Sequence, residues 1–243
     1  MFNDEILFET KDKRIVVKET RFQGEPVRIL LVNEVGESAV FYDEGRKSEL
    51  VFDYLKEFAK VFEVRPDLKN TLLLGGAGFT FPRHITERYK DVHMDVCEID
   101  PLMIDLAKKF FFLENYDPAT HGEIIVDDAL KYIKRCKKKY DAVFHDAYTE
   151  NIIEEDLLSE SGIRAVKKVM SKKGVYVINM ISAFTGKDSL RGIMARAMLR
   201  EHFKNVSWYP ANESIAQNKP QNSILVASDG EIGPIRGPEF VTK

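Results

Sequence analysis

The sequence predicts an α/β protein built on a doubly wound, mainly parallel sheet, with a small antiparallel β appendage at its N-terminus. Three observations predict it. From Thr71 onward, short apolar runs alternate with segments of helical spacing, and repeated β-α-β units imply a parallel sheet covered on both faces. The first of these runs ends in Gly75-Gly76-Ala77-Gly78, and glycines let the backbone turn tightly and approach a ligand closely. Residues 5 to about 42 have another rhythm: short Val-, Ile- and Leu-rich runs punctuated by Gly24, Pro26 and Gly36. The organisation expected is a small β region over 1–45 and a larger α/β domain over 46–243.

The elements follow in order. Arg14 to Lys18, Val27 to Asn33 and Ser38 to Phe41 read as short strands. Ser48 to Phe62 carries Leu50, Val51, Tyr54, Leu55, Phe58, Ala59 and Phe62 at helical spacing. Thr71 to Leu74 is the first strand of the main sheet. A helix from Pro82 to Tyr89 follows, since proline is tolerated in a first turn. His93 to Ile99, Glu123 to Val126, Ala142 to His145 and Val175 to Met180 are the next strands. Pro101 to Phe112, Ala129 to Lys138, Gly162 to Met170 and Ser189 to Phe203 are the helices between and after them, with Gly174 as a C-cap. Val206 to Tyr209 and Ser223 to Ala227 read as a closing hairpin, and the Gly- and Pro-containing tail from Gly230 as loosely held.

Composition narrows the function. The 243 residues carry a net charge of -3, which argues against a general nucleic-acid binder, whose footprint is basic. No stretch approaches the roughly 18 apolar residues of a membrane helix. The acidic start, Met1-Phe2-Asn3-Asp4-Glu5, lacks a signal-peptide pattern. Cys97 and Cys136 are far apart and read as buried, reduced thiols, which suits a cytoplasmic protein. The basic run through Lys137-Lys138-Lys139 reads as a solvated helix face. Phe110-Phe111-Phe112 reads as core and its rim.

Ligands of an open parallel sheet bind beyond the carboxyl ends of its strands. Those ends carry the Gly75 to Gly78 turn, then Glu98 with Asp100, then Asp127-Asp128, then Asp146. Glu98 lies 20 positions after Gly78, where a carboxylate can accept hydrogen bonds from ribose hydroxyls. Asp127-Asp128 is placed to meet an adenine amino group, although either also reads as an N-cap. Asp146 also reads as a loop or capping acid. A dinucleotide fingerprint would need glycine at position 81, which is Phe, and a Walker loop would need Gly-Lys-Ser/Thr, which is absent. A nucleoside without a pyrophosphate, of the S-adenosylmethionine type, needs no phosphate cradle and fits better. His145 should point away from Asp146, across the strand, and reads as structural. No metal-ligand spacing and no Gly-x-Ser-x-Gly elbow occur.

At this point the chain resembles the spermidine synthase family. Leu72-Leu73-Leu74-Gly75-Gly76-Ala77-Gly78 is similar to that family's strand and glycine turn. Cys97-Glu98-Ile99-Asp100 with Ala107-Lys108-Lys109 resembles its Glu-Ile-Asp segment and helix. Tyr140-Asp141-Ala142-Val143-Phe144-His145-Asp146 resembles its Tyr-Asp-hydrophobic-Asp strand, and Glu19-Thr20-Arg21-Phe22-Gln23 its N-terminal Glu-Ser-x-Tyr-Gln segment. The resemblance implies a Rossmann-like methyltransferase fold and aminopropyl transfer from decarboxylated S-adenosylmethionine to an amine. It implies that Gln23, Glu98 and Asp128 bind the nucleoside with Gly75, Gly76 and Gly78 of the turn, and that Asp146 helps deprotonate the attacking amine. The partners expected are a small-molecule amine acceptor and, as the assembly considered, a homodimer.

The chain also departs from the family pattern. Gly78 stands where the family turn has an Asp that holds the aminopropyl amine, and Thr149 where the family has a second acid, with Glu150 one position off. The family's Tyr-His-Glu helix is loosely replaced by Phe52-Asp53-Tyr54. The nucleoside half of the site is kept and the polyamine half altered, so putrescine is expected to be a poor acceptor. A methyltransferase on the same fold, using S-adenosylmethionine, and a non-catalytic nucleoside-binding relative are the alternatives.

Overall fold

The computed structural model describes residues 5–11, 14–43, 45–113, 116–149, 152–153 and 155–233. Residues 5–41 form a four-stranded antiparallel sheet, β1 (Glu5–Glu9), β2 (Ile15–Phe22), β3 (Glu25–Val32) and β4 (Val35–Phe41), in that order. Its hairpins turn through two-residue loops, Gln23-Gly24 and Asn33-Glu34, all four residues at positive φ. That geometry matches the right-handed twist of the flanking strands.

The rest of the chain alternates: α1 (Asp53–Val64), β5 (Asn70–Leu74), α2 (Thr80–Arg88), β6 (His93–Glu98), α3 (Pro101–Phe110), β7 (Ile124–Val126), α4 (Ala129–Arg135), β8 (Tyr140–His145), a two-residue pairing of β9 (Tyr148–Thr149) with β10 (Ile152–Ile153), α5 (Glu160–Val169), β11 (Met170–Ser182), α6 (Leu190–His202), β12 (Asn205–Pro210) and β13 (Gln221–Ser228). The main sheet has seven strands in the order β12-β13-β11-β8-β5-β6-β7, and β13 alone runs antiparallel to both its neighbours. The chain proceeds from β5 outward to β7 and then returns to the other side of β5 as β8. The crevice between β5 and β8 is therefore the switch point at which open α/β sheets bind ligands.

Side-chain alternation fixes the two faces. Ala142 and Phe144 of β8, with Val175 and Val177 of β11, pack against α1 and α2 through Phe58, Phe62, Phe81 and Ile85. Val143, Tyr176, Ile178 and Met180 face α4, α5 and α6 through Ile133, Ile163, Val166 and Leu199. Each Val, Leu, Ile, Phe or Met among them contributes about 1.5–3 kcal/mol on burial. A third cluster joins the small sheet to α3: Val17, Leu30 and Val40 against Met103, Leu106 and Phe110. Val27, Ile29, Ala39 and Phe41 enter the first cluster, so the small sheet packs on the large one over the ligand-binding edge.

The structure corrects several boundaries. The first helix starts at Asp53, because Leu50, Val51 and Phe52 pack into the core before any helical turn forms. α4 stops at Arg135, where Cys136 turns extended, and Lys138 then reaches Asp95 and Glu123 at 2.8 Å each. Gly174 is no C-cap. α5 ends at Val169, and Gly174 lies inside β11 at an irregularity where a Cβ would meet the Tyr140 carbonyl at 3.2 Å. Phe110 and Phe111 are core; Phe112 sits at the rim with the cations of Arg28, Lys47 and Arg83 about its ring. The tail beyond 233 lies outside the described residues. No helix among the described residues is long and apolar enough to cross a membrane.

Candidate active site

Above the switch point lies a cavity of about 380 Å³. Its floor is made by strand ends. The N–H of Gly75 donates to the Cys97 carbonyl at 2.9 Å, and the N–H of Asp146 donates to the Leu74 carbonyl at 2.8 Å. Three successive sites are thereby locked to one another by backbone. Gly75, at φ +89, has no room for a side chain, since a Cβ would stand 2.4 Å from the Asp146 carbonyl oxygen. Here glycine is required twice, by its φ and by the close approach.

Glu98 is buried and its carboxylate is already engaged. Oε2 accepts the N–H of Gly76 at 2.7 Å and of Ala77 at 2.9 Å, and Oε1 accepts the N–H of Asp100 at 2.9 Å. An ionised carboxylate offers about four acceptor positions, so this one shapes the turn and keeps capacity for one further donor. Asp127 and Asp128 line the cavity as expected. Asp128 also caps α4, accepting the Lys131 N–H at 2.7 Å, and Asp127 is paired with Arg135. Asp128 thus combines a place in the cavity wall with the capping of α4.

Asp146 is held differently. Its Oδ2 accepts the Tyr54 hydroxyl and its Oδ1 the Asn179 amide, each at 2.9 Å. Protein surrounds it except where it faces the cavity. Desolvation pushes its pKa up to about 7, against the opposing pull of the Asn179 and Tyr54 hydrogen bonds. Burial and the Asp146 charge in turn hold the Tyr54 phenol well above its usual range, so it stays a donor. His145 points to the opposite face, fully buried, with Nδ1 2.8 Å from the Tyr176 hydroxyl; burial lowers its pKa to about 3. It is a neutral core residue, as the strand alternation requires.

Two expected residues do not join the site. Gln23 occupies the exposed tip of the β2–β3 hairpin at φ 51. The two-residue turn holds it there, and it does not line the cavity. Gly78 is in the turn, but its N–H donates to Ser38 Oγ at 2.9 Å instead of facing the cavity. Asp53 is bound to Asn212 and Lys56, and Thr149 lies in β9 by its backbone. Glu150 lies outside the described residues. Sequence reading missed Tyr54 as a partner of Asp146, and it missed Asn179, Tyr148 and Glu37. The last two line the cavity. The Tyr54 and Asn179 contacts span 92 and 33 positions, so no local motif could reveal them.

The arrangement can hold an adenosine-like ligand across the turn and present a basic carboxylate to a group bound beside it. The model of the spermine/spermidine synthase domain matches residues 51–219. The polyamine aminopropyltransferase of Vibrio vulnificus is 27% identical over 185 residues, 75% of this chain and 57% of that protein. That of Buchnera aphidicola is 25% identical over 214 residues, 86% and 70% respectively. The chain thus spans little more than half the length of the Vibrio relative. Among solved structures, a probable spermidine synthase from Corynebacterium glutamicum superposes with a TM-score of 0.75 at 20% identity, over 93% of this chain and 79% of that one. Human methyltransferase-like protein 13 in complex with SAH gives 0.58 at 17% identity, over 79% and 86%. These two likenesses define the fold. With the domain model matched over more than half its length, the chain belongs to the spermine/spermidine synthase family.

Proposed function

We propose that the chain is an aminopropyltransferase that uses decarboxylated S-adenosylmethionine as donor and a small amine as acceptor. The observation that supports it best is the place and state of Asp146: at the β5–β8 switch point, facing the cavity, with a pKa pushed up to about 7. An amine attacks carbon only through a free lone pair, so a base must take its proton. A carboxylate titrating near neutrality does this better than an ordinary, more acidic one. In the step proposed, the amine nitrogen attacks the aminopropyl carbon bound to the sulfonium. A C–N bond forms, the C–S bond breaks, and its electron pair leaves with sulfur as a neutral thioether. The amine proton passes to Asp146. Tyr54 and Asn179 aim the carboxylate; Glu98 and the turn hold the nucleoside.

Six carboxylates and one guanidinium line the cavity among the described residues, which suits a ligand pair carrying positive charge only. The decisive assay incubates the purified protein with decarboxylated S-adenosylmethionine and a panel of amines, and measures methylthioadenosine release. Amine-dependent release supports the reading. Methyl transfer from S-adenosylmethionine with no such release would replace it by a methyltransferase. Putrescine is expected to fall below about 10⁴ M⁻¹s⁻¹ in kcat/KM, an ordinary value for an enzyme on its own substrate, because Thr149 brings no carboxylate for its second ammonium.

A further inference from the structure

β4 is not a regular strand. Its ladder with β3 runs from Phe41 opposite Val27 to Ser38 opposite Leu30, and then jumps so that Gly36 stands opposite Leu31. Glu37 has no counterpart: it is the extra residue of a bulge, a device that re-aims side chains beside active sites. The bulge interrupts the alternation of faces, and both Glu37 and Ser38 reach the cavity. Ser38 is buried against the glycine turn, and a Cβ at position 78 would stand 2.6 Å from its own Cβ. The space beside Gly78 is therefore filled by β4, and the only carboxylate that β4 sends to the cavity is Glu37.

Its surroundings are acidic. Asp146, Glu98 and the phenols of Tyr54 and Tyr148 all interact electrostatically with it. Among the described residues it has no hydrogen-bond donor and no ion-pair partner. Burial, with the charges of Asp146 and Glu98, pushes its pKa up to about 7. A desolvated carboxylate without a partner is costly until a cation reaches it.

Resting on the aminopropyl-transfer reading, we propose that Glu37 binds the ammonium of the donor's three-carbon tail and so selects decarboxylated S-adenosylmethionine over S-adenosylmethionine. The two nucleosides differ by one carboxylate, on the carbon that bears that ammonium. A tail placed with its ammonium on Glu37 brings this extra carboxylate into a wall that already holds Glu37 and Asp146. The residue that attracts one donor thus repels the other, which is discrimination by attraction and by clash of charge together.

The test is calorimetry at pH 8, where Glu37 is ionised, on the wild-type chain, Glu37→Gln and Glu37→Asp. The ligands are methylthioadenosine, decarboxylated S-adenosylmethionine and S-adenosylmethionine. Methylthioadenosine has no charged tail, so it reports whether the fold and the nucleoside half are intact. The expected result is at least a 10-fold loss of affinity for the decarboxylated donor in Glu37→Gln, with methylthioadenosine unchanged within two-fold. The preference between the two donors should narrow, and Glu37→Asp should fall between. Unchanged affinity for the decarboxylated donor overturns the proposal. So does parallel loss of all three ligands. A wild-type chain that prefers S-adenosylmethionine refutes aminopropyl transfer itself, whatever the variants do.

Discussion

The two sides of the cavity are built by different means. Around Glu98 nearly every contact is backbone: three N–H groups meet one carboxylate, and strand ends bond one another directly. Around Asp146 the contacts are side chain to side chain, from α1 and from β11, and Glu37 approaches from a separate sheet. The first side is rigid and finished before a ligand arrives. The second holds two carboxylates with pKa values raised to about 7, and its charge is set by pH and by what binds. In the proposed function the nucleoside is held on the backbone-built side, and the proton is taken on the other.

The contrast is broken most sharply at Asp146. Asp146→Asn should lower turnover roughly 100-fold or more, because the amide cannot accept the amine proton. Methylthioadenosine affinity should stay nearly unchanged. Steady-state rates with parallel calorimetry check both halves of the statement, and an equal loss of binding would mean that the two sides are one unit. Glu98→Ala should do the reverse. It removes the acceptor proposed for the nucleoside's hydroxyls, besides stranding the N–H groups of Gly76, Ala77 and Asp100, and should weaken methylthioadenosine binding by roughly 1–3 kcal/mol, the cost of unpaired hydroxyls. A calorimetric change below about two-fold would show that the turn holds its shape without Glu98.

Two smaller effects sharpen the contrast. The folded-state pKa of Asp146, about 7, lies above its ordinary value of 3.8. Its protonated form therefore favours folding fully below about pH 4, and that contribution is lost as pH rises through 7. Asp146→Asn should then raise stability at pH 8 by roughly 1–3 kcal/mol, discounted because one face is open to the cavity, and change little at pH 4. Denaturant unfolding at the two pH values measures it. Tyr54→Phe removes a donor that favours the ionised form of Asp146, so the base should titrate higher. The rate at pH 7 should fall by roughly 1 kcal/mol in barrier terms, several-fold, and recover toward pH 9. A pH–rate profile that merely drops without moving its acidic limb would assign Tyr54 to packing alone.

How far the sequence could be read follows the same division. Glycines, Glu98, Asp128 and Asp146 all lie at strand ends, and strand ends are legible because apolar runs and turns are local. The alternation of β8 also placed Asp146 and His145 on opposite faces. What escaped was non-local or irregular. Tyr54 reads as one more apolar position of α1, and only the fold sets it 2.9 Å from Asp146. Glu37 falls just outside the strand expected over Ser38 to Phe41, and a bulge leaves no mark in composition. Gln23 failed for the opposite reason: a matched segment was carried over, whereas its place depends on the hairpin turn at φ 51 that carries it away.

The bulge in β4 has a consequence for how this site can change over evolutionary time. It lies between the Asn33-Glu34 turn and the buried residues Ala39, Val40 and Phe41, whose pairing with β3 is regular. Removing the single residue Glu37 would close the ladder and leave that core in register. The cavity would lose a negative charge without any apolar contact being rebuilt. Donor preference is therefore coupled to the length of a hairpin and not to the identity of a packed side chain. A lineage can gain or lose it by one codon's insertion or deletion.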